Sequence, residues 1–335
     1  MAESPTILVI GPRWVGDMVM AQCLFSALKE KHPNAAIDVL APAWAAPIVK
    51  RMPEIRSQID FPLMPGALEF RSRMRFGRLL RGRYDMAYVL PGSWKSALIP
   101  FFARIPRRVG NLREMRYGLL TDVVPLPDAL KRRTARAYFG LARGGTFHAP
   151  KLTVDTANQA ELLARFGLSG KKFVTLMPGA EFGPAKRWPS DHYAGLARAM
   201  IEKGYGVALL GSKNDASVTG EIATLAPGAI DLAGKTKLAD AIDLLAAADL
   251  AVSNDSGLMH VAAAVGTRVV AVYGSTSPEN TPPLTERSEL IWLHLSCSPC
   301  HNKICPLGHL NCLKTLEVAR VMAAAERLLQ VPATV

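Results

Sequence analysis

A chain of 335 residues is long enough for two domains of ordinary size, and its 49% hydrophobic and 20% charged residues exclude a disordered chain. The formal charge of +12 is unevenly placed: residues 1–165 hold 25 Lys and Arg against 13 Asp and Glu, whereas residues 166–335 hold 15 of each. Such a basic half predicts a large anionic partner (nucleic acid, an anionic membrane surface or a polyanionic glycan), the alternative being a charged face that only keeps the chain in solution. No apolar run reaches the ~18 residues of a membrane-spanning helix. The N-terminus shows no signal-peptide pattern, and five cysteines, four of them within sixteen residues, do not fit a secreted disulfide framework. A cytosolic location is expected.

In chain order, TILVIG (6–11) is a β-rich run ending at Gly11. Met18, Ala21, Leu24, Phe25 and Leu28 then recur at helical spacing and predict a helix over 17–31. AAIDVLA (35–41), the apolar stretch 44–49 and DMAYVLP (85–91) follow. Three basic segments stand among them, 71–83, 111–118 and 130–145, the first helix-like and all carrying aromatics. Around 147–156 the pattern turns irregular and Pro-containing, which marks the approach to a linker. The alternation then restarts, with a strand and loop at 172–179, strands at 205–212, 249–254 and 267–274, the last buried one, and helices at 191–204, 214–225, 238–248 and 256–266. Strands alternating with helices predict parallel sheets covered on both faces. The expected fold is α/β: two doubly wound, Rossmann-like domains, 1–165 and 166–335, facing a central cleft. The last helix is a candidate to pack back on the N-terminal domain.

Four loops carry candidate chemistry. GPRWVGDM (11–18) joins the first strand to the first helix, but it is neither a G-x-G-x-x-G fingerprint nor a P-loop. Asp17 in it is either a helix N-cap or a carboxylate placed for general-base work. PGAEFGPAKRWP (178–189) offers Lys186, a compact cation suited to a diphosphate, and Trp188, expected to anchor the loop by packing. In VSNDSGLMHVAAA (252–264), Asn254, Asp255 and Ser256 can cap a helix whose first turn, with Gly257, suits an anion; His260 either faces that anion or packs. In GSKND (211–215), Asp215 can accept from ribose hydroxyls. The segment 296–314 spaces Cys297, Cys300, Cys305 and Cys312 as C-x2-C-x4-C-x6-C, which is either a structural zinc site or, the reading preferred, reduced cysteines packed in a loop. Cys23 is read as core.

Together, ILVIGPRWVGDMVM, PGAEFGPAKRWP, GSKND, DLAGKT (231–236), NDSGLMHVAAA and CSPCHNKICPLGHLNCL resemble the ADP-heptose:lipopolysaccharide heptosyltransferases of glycosyltransferase family 9, in particular their heptosyltransferase II group. The resemblance runs over nearly the whole chain. It implies a GT-B architecture, with the acceptor on the N-terminal domain and ADP-heptose on the C-terminal one. The implied reaction is inverting, metal-independent transfer of L-glycero-D-manno-heptose onto the first heptose of the Gram-negative inner core. It implies Asp17 as the base and Lys186 as the neutraliser of the departing ADP. The donor would be held by Lys186, Ser212, Asp215, Asp255, Ser256, Gly257, Leu258 and His260. Arg13, Trp94, Lys95, Arg108 and Arg113 are candidates for acceptor contact. The expected partners are the nucleotide-sugar donor, the anionic lipopolysaccharide core and the cytoplasmic face of the inner membrane, with no nucleic acid and no required cofactor. The alternatives are another heptosyltransferase acceptor or a nucleotide-sugar epimerase, and the basic half weighs against the epimerase.

Overall fold

The computed structural model describes residues 4–61 and 67–331, which divide into two compact units at Pro150/Lys151. The first unit contains β1 (Thr6–Ile10), α1 (Val15–Lys31), β2 (Ala36–Ala41), α2 (Ala46–Val49), β3 (Ile55–Asp60), α3 (Phe70–Leu79), β4 (Met86–Val89), α4 (Leu98–Phe102), β5 (Arg107–Asn111), β6 (Asp122–Val124) and α5 (Thr134–Gly140). Its six strands are all parallel, in the order β3-β2-β1-β4-β5-β6. Central β1 is an unbroken apolar run because helices cover both faces of the sheet. Eleven of the seventeen residues of α1 are buried, which makes it an interior helix lodged between the sheet and α5.

The second unit contains α6 (Thr156–Arg165), β7 (Phe173–Met177), α7 (Ser190–Glu202), β8 (Gly206–Leu209), α8 (Ala216–Leu225), β9 (Ala229–Asp231), α9 (Leu238–Ala247), β10 (Leu250–Asn254), α10 (Gly257–Ala264), β11 (Arg268–Val272), β12 (Ser288–Ile291), α11 (Asn311–Lys314) and α12 (Val318–Gln330). Its order, β12-β11-β10-β7-β8-β9, is the same topology read from the other edge, again all parallel. In each sheet the winding reverses at one point, between β1 and β4 in the first unit and between β7 and β10 in the second. The carboxyl ends of those strands open the crevice where doubly wound sheets bind ligands.

Two expectations need correction. The boundary falls at 150/151 and not at 165/166, because α6 belongs to the second unit. Buried Asp243 of α9 accepts from the Asp155 backbone (2.9 Å) and from Asn158 Nδ2 (2.8 Å), which ties the start of α6 down. The last helix packs within the second unit, with Val321, Ala324, Ala325 and Leu328 in its core. Past the last buried strand the sheet adds a partly exposed edge strand, β12, beside β11. Two of the strands not anticipated, β3 (IRSQID) and β5 (RRVGN), are polar because their side chains serve neighbours. Arg56 and Ser57 hold buried Asp38 at 2.5 and 2.7 Å, and Arg107 holds Asp122 at 3.0 Å.

Candidate functional site

In the first unit, Gly11 turns the chain from β1 towards α1. A Cβ there would stand 2.9 Å from Met18 Cε and 3.3 Å from the Leu40 carbonyl, so a larger residue fits only if these neighbours shift. Trp14, in extended conformation, is the N-cap residue, and Asp17 lies in the first helical turn. Asp17 is therefore not the cap. Its carboxylate sits where the helix dipole favours negative charge. The loop after β4 forms the facing wall of a cavity of about 340 Å3, lined by Asp17 together with Arg13, Trp14, Asn111, Arg113, Lys131 and Tyr138. Burial, and secondarily the Asp17 charge, push the Tyr138 phenol well above its ordinary value, so it remains a neutral hydroxyl in this cavity.

Two of the proposed acceptor contacts, Arg13 and Arg113, line the cavity; Trp94, Lys95 and Arg108 do not. Trp94 starts a 3-10 turn, its backbone N–H held by Glu114 at 2.7 Å, and the Lys95 carbonyl accepts from Arg73 at 3.3 Å. Arg108 donates to the Leu119 and Ile105 carbonyls, each at 2.7 Å, and so serves the sheet edge. The residue that shapes the cavity wall is Arg116, which is 1% exposed. It donates to Pro91 O and Asn111 O, each at 2.6 Å, and staples the loops after β4 and β5 together. Burial draws its pKa down to about 10, and it stays charged at neutral pH.

In the second unit, the loop after β7 carries a 3-10 turn at Pro184–Lys186 and ends on Trp188, whose ring is buried and donates to Leu316 O at 2.9 Å. The packing role expected of Trp188 is what the structure shows. Asn254, at the end of β10, does not cap α10. Its Oδ1 accepts from the Trp188 backbone (3.0 Å) and the Tyr193 hydroxyl (3.1 Å), and its Nδ2 donates to Pro178 O (2.7 Å). One carboxamide thus joins both loops of the crevice.

Lys186 Nζ lies 2.6 Å from Asp255 Oδ2, with side chains 14% and 4% exposed. The ammonium also stands over the Phe182 ring, 4.9 Å from its centroid. Asp255 further accepts from Thr276 Oγ1 (2.6 Å) and Thr281 Oγ1 (3.3 Å), so its orientation is over-determined. Ser256 is the N-cap of α10, but its hydroxyl turns to Ser253 Oγ at 3.1 Å and makes no cap bond. The N–H groups of Gly257 and Leu258, in the first turn, have no intrahelical acceptors. His260 is buried, and desolvation lowers its pKa to about 4 despite Asp255, so the imidazole is neutral. A lysine, a helix N-terminus and an anchoring carboxylate thus meet at the switch point of the sheet. This arrangement can hold a diphosphate and stabilise charge growing on it.

Asp215 has a structural occupation. Its Oδ2 accepts from the Ser212 N–H (2.9 Å) and hydroxyl (2.8 Å), forming a capping box, and Arg187 stands 3.8 Å from Oδ1. A Cβ on Gly179 would come within 2.5 Å of that carboxyl, so glycine is required for the loop after β7 to pass. Cys297, Cys300, Cys305 and Cys312 are free thiols that share a cavity of about 20 Å3 with His309. Among the described residues, no group of three or more His, Cys, Asp or Glu is arranged to hold a metal ion. Sequence reasoning missed Asn111, Lys131 and Tyr138 as cavity residues; their only signal was a place in or beside basic, aromatic-bearing segments.

The chain matches the family model described as glycosyltransferase family 9 (heptosyltransferase) over residues 73–311. It is 47% identical over 305 residues to lipopolysaccharide heptosyltransferase 2 of Escherichia coli K12, covering 86% of this chain and 88% of that relative. Identity and coverage are the same for lipooligosaccharide heptosyltransferase 2 of Haemophilus influenzae. The solved structure of E. coli ADP-heptose LPS heptosyltransferase II matches with a TM-score of 0.86 at 41% identity, over 97% of this chain and 98% of that one. A family 9 glycosyl transferase from Veillonella parvula shares the fold, with a TM-score of 0.88 at 20% identity over 98% of both chains.

Proposed function

Because this chain belongs to glycosyltransferase family 9, with the two-sheet GT-B fold class, we propose that it transfers L-glycero-D-manno-heptose from ADP-heptose onto the first heptose of the lipopolysaccharide inner core. The observation that carries this reading is the Lys186–Asp255 pair at the N-terminus of α10. The diphosphate of the donor lies on the first-turn N–H groups of α10, with Ser256, Gly257 and Leu258 as its backbone cradle. Lys186, oriented by Asp255, meets the charge that grows as the glycosidic bond to ADP breaks. That work requires no metal ion and no cofactor. Asp215 acts by holding Ser212 and the approach of Gly179, and His260 packs as a neutral imidazole beneath the site.

The acceptor occupies the Asp17 cavity of the first unit. Asp17 takes the proton of the attacking hydroxyl as that oxygen bonds to the anomeric carbon from the face opposite ADP, so configuration inverts. Arg13, Arg113 and Lys131 line the same cavity as the carboxylate and match the phosphates and acidic sugars of the core. The charge of the basic first unit supports a working position at the cytoplasmic face of the inner membrane, where the acceptor would be anchored. An epimerase has no use for a second, acceptor-sized cavity with a carboxylate. The test is incubation of the purified protein with ADP-heptose and a core carrying one heptose. Mass spectrometry should show the gain of one heptose with release of ADP; free heptose or an isomerised donor as the sole product would refute the reading.

A further inference from the structure

Six arginines fall between positions 71 and 83, and no acidic residue separates them. The structure sorts them. Arg73 turns inward, donating to Leu68 O at 2.6 Å and to Ala67 O and Lys95 O at 3.3 Å, while Arg71, Arg75, Arg78, Arg81 and Arg83 face solvent. Arg71, Arg75 and Arg78, four and three residues apart on α3, share one helical face.

Large apolar side chains stand among these charges. Leu79 is 69% exposed, Leu68 50%, Phe70 42% and Phe101 39%. Leu79, four residues after Arg75, borders the arginine face on one side, and Phe70 and Phe101 border it on the other, where α3 and α4 are in close contact at Gly77: a Cβ there would stand 2.7 Å from Ile99 O and 2.8 Å from Phe102 Cβ. Phe102 meets both Phe70 and Phe101 edge-on, with centroids 5.4 Å apart in each case. Arg81 Nε caps the end of α4 at Phe102 O, 3.1 Å away.

An arginine face with leucine and phenylalanine exposed within it matches the headgroup layer of an anionic bilayer, where guanidinium groups meet phosphates and apolar tips enter the acyl boundary. A binding site for a single sugar phosphate would instead converge in a cavity, and none of these residues lines the Asp17 cavity. We infer that the α3–α4 face docks the protein on anionic phospholipid. This deepens the membrane-surface reading above and names the face responsible.

The experiment is flotation of the full-length protein with vesicles of phosphatidylcholine alone or mixed with phosphatidylglycerol. The wild type should float with the anionic vesicles and not with the neutral ones. Each basic residue near such a surface contributes about fivefold, so Arg71→Glu/Arg75→Glu/Arg78→Glu should lower the association constant by ~100-fold or more. Leu79→Ser, which leaves the charge intact, should lower it severalfold, and most visibly in 0.5 M salt. Both variants should transfer heptose to a dephosphorylated, delipidated core fragment at the wild-type rate, which reports that they are folded. Unchanged flotation of the triple variant, or equal binding to neutral vesicles, would overturn the inference. So would charge-dependent capture of RNA with no vesicle binding. Failure of the wild type to use any core acceptor would instead strike the proposed activity and leave the vesicle result standing.

Discussion

The two units share one strand order and differ in what they place at its switch point. In the first, residues 4–150, the crevice is a cavity that sets one carboxylate, Asp17, among cations. In the second, residues 151–331, it is a cation–carboxylate pair at a helix N-terminus, with both charges largely buried. The charge map follows the same division: residues 1–150 hold 23 Lys and Arg against 11 Asp and Glu, and residues 151–335 hold 17 of each. Eleven of the sixteen exposed large apolar side chains among the described residues also stand in the first unit. Topology therefore sets where a ligand binds, and the side chains at the strand ends set which ligand. A basic, apolar-dotted unit suits an acceptor held at a charged surface, and a neutral unit with one precise anion site suits a small soluble donor.

The sharpest break in this comparison is Asp17→Asn. It should lower turnover by ~10²–10⁴-fold while leaving the ADP dissociation constant within about twofold, because the residues proposed to hold the donor all lie in the other unit. Titration calorimetry with ADP beside an activity assay reads both. Near wild-type turnover would make Asp17 a first-turn dipole partner and no more.

Lys186→Ala attacks the other unit. Transfer should fall by ~10²–10³-fold, ADP should bind more weakly, and Asp255 should lose the cation that compensates its burial, lowering the melting temperature as well. Wild-type transfer should persist in EDTA. A strict demand for Mg²⁺ or Mn²⁺ would show that Lys186 and α10 do not suffice for the leaving group.

His260 tests whether the proposed donor site is as dry as its geometry implies. Its folded pKa of about 4 lies below the ordinary 6.5, so the unfolded chain takes up a proton first as pH falls. The contribution to stability is complete above about pH 6.5 and is lost as pH drops towards 4, by about 3 kcal/mol in all. Replacing His260 with Gln should flatten the stability profile in that window. An unaltered slope in urea titrations from pH 7 to 4 would mean that the imidazole is already solvated.

The smallest effect concerns charge at long range. Raising salt from 0.1 to 1 M shortens the Debye length from ~10 to ~3 Å. Association of a phosphorylated, lipid-bearing acceptor should slow severalfold, while ADP-heptose binding at the buried Lys186–Asp255 pair changes little. Equal sensitivity for a dephosphorylated, delipidated acceptor would reduce the basic face to a solubilising coat.

Much of this was legible in the sequence. The alternation of strands and helices predicted two doubly wound units, and the charge asymmetry predicted that they would differ. Asp17, Lys186 and Asp255 were readable because each follows a strand by a short loop, where a doubly wound sheet presents its ligands. What the sequence left undecided depends on which partner a polar side chain meets. Arg13 and Arg116 are the same residue type in one basic half and both border the cavity, yet Arg13 is exposed and Arg116 is buried in the wall, where it satisfies backbone carbonyls. Asn254 reads as a helix cap but spends its carboxamide on Trp188, Tyr193 and Pro178, distant neighbours brought near only by the packed sheet. Helix 156–165 carries no mark of its unit until Asp243 of α9 claims its first turn. Periodicity and loop position are local, so they survive in the sequence. The satisfaction of a buried polar group is settled by residues far along the chain, so only the tertiary structure decides it.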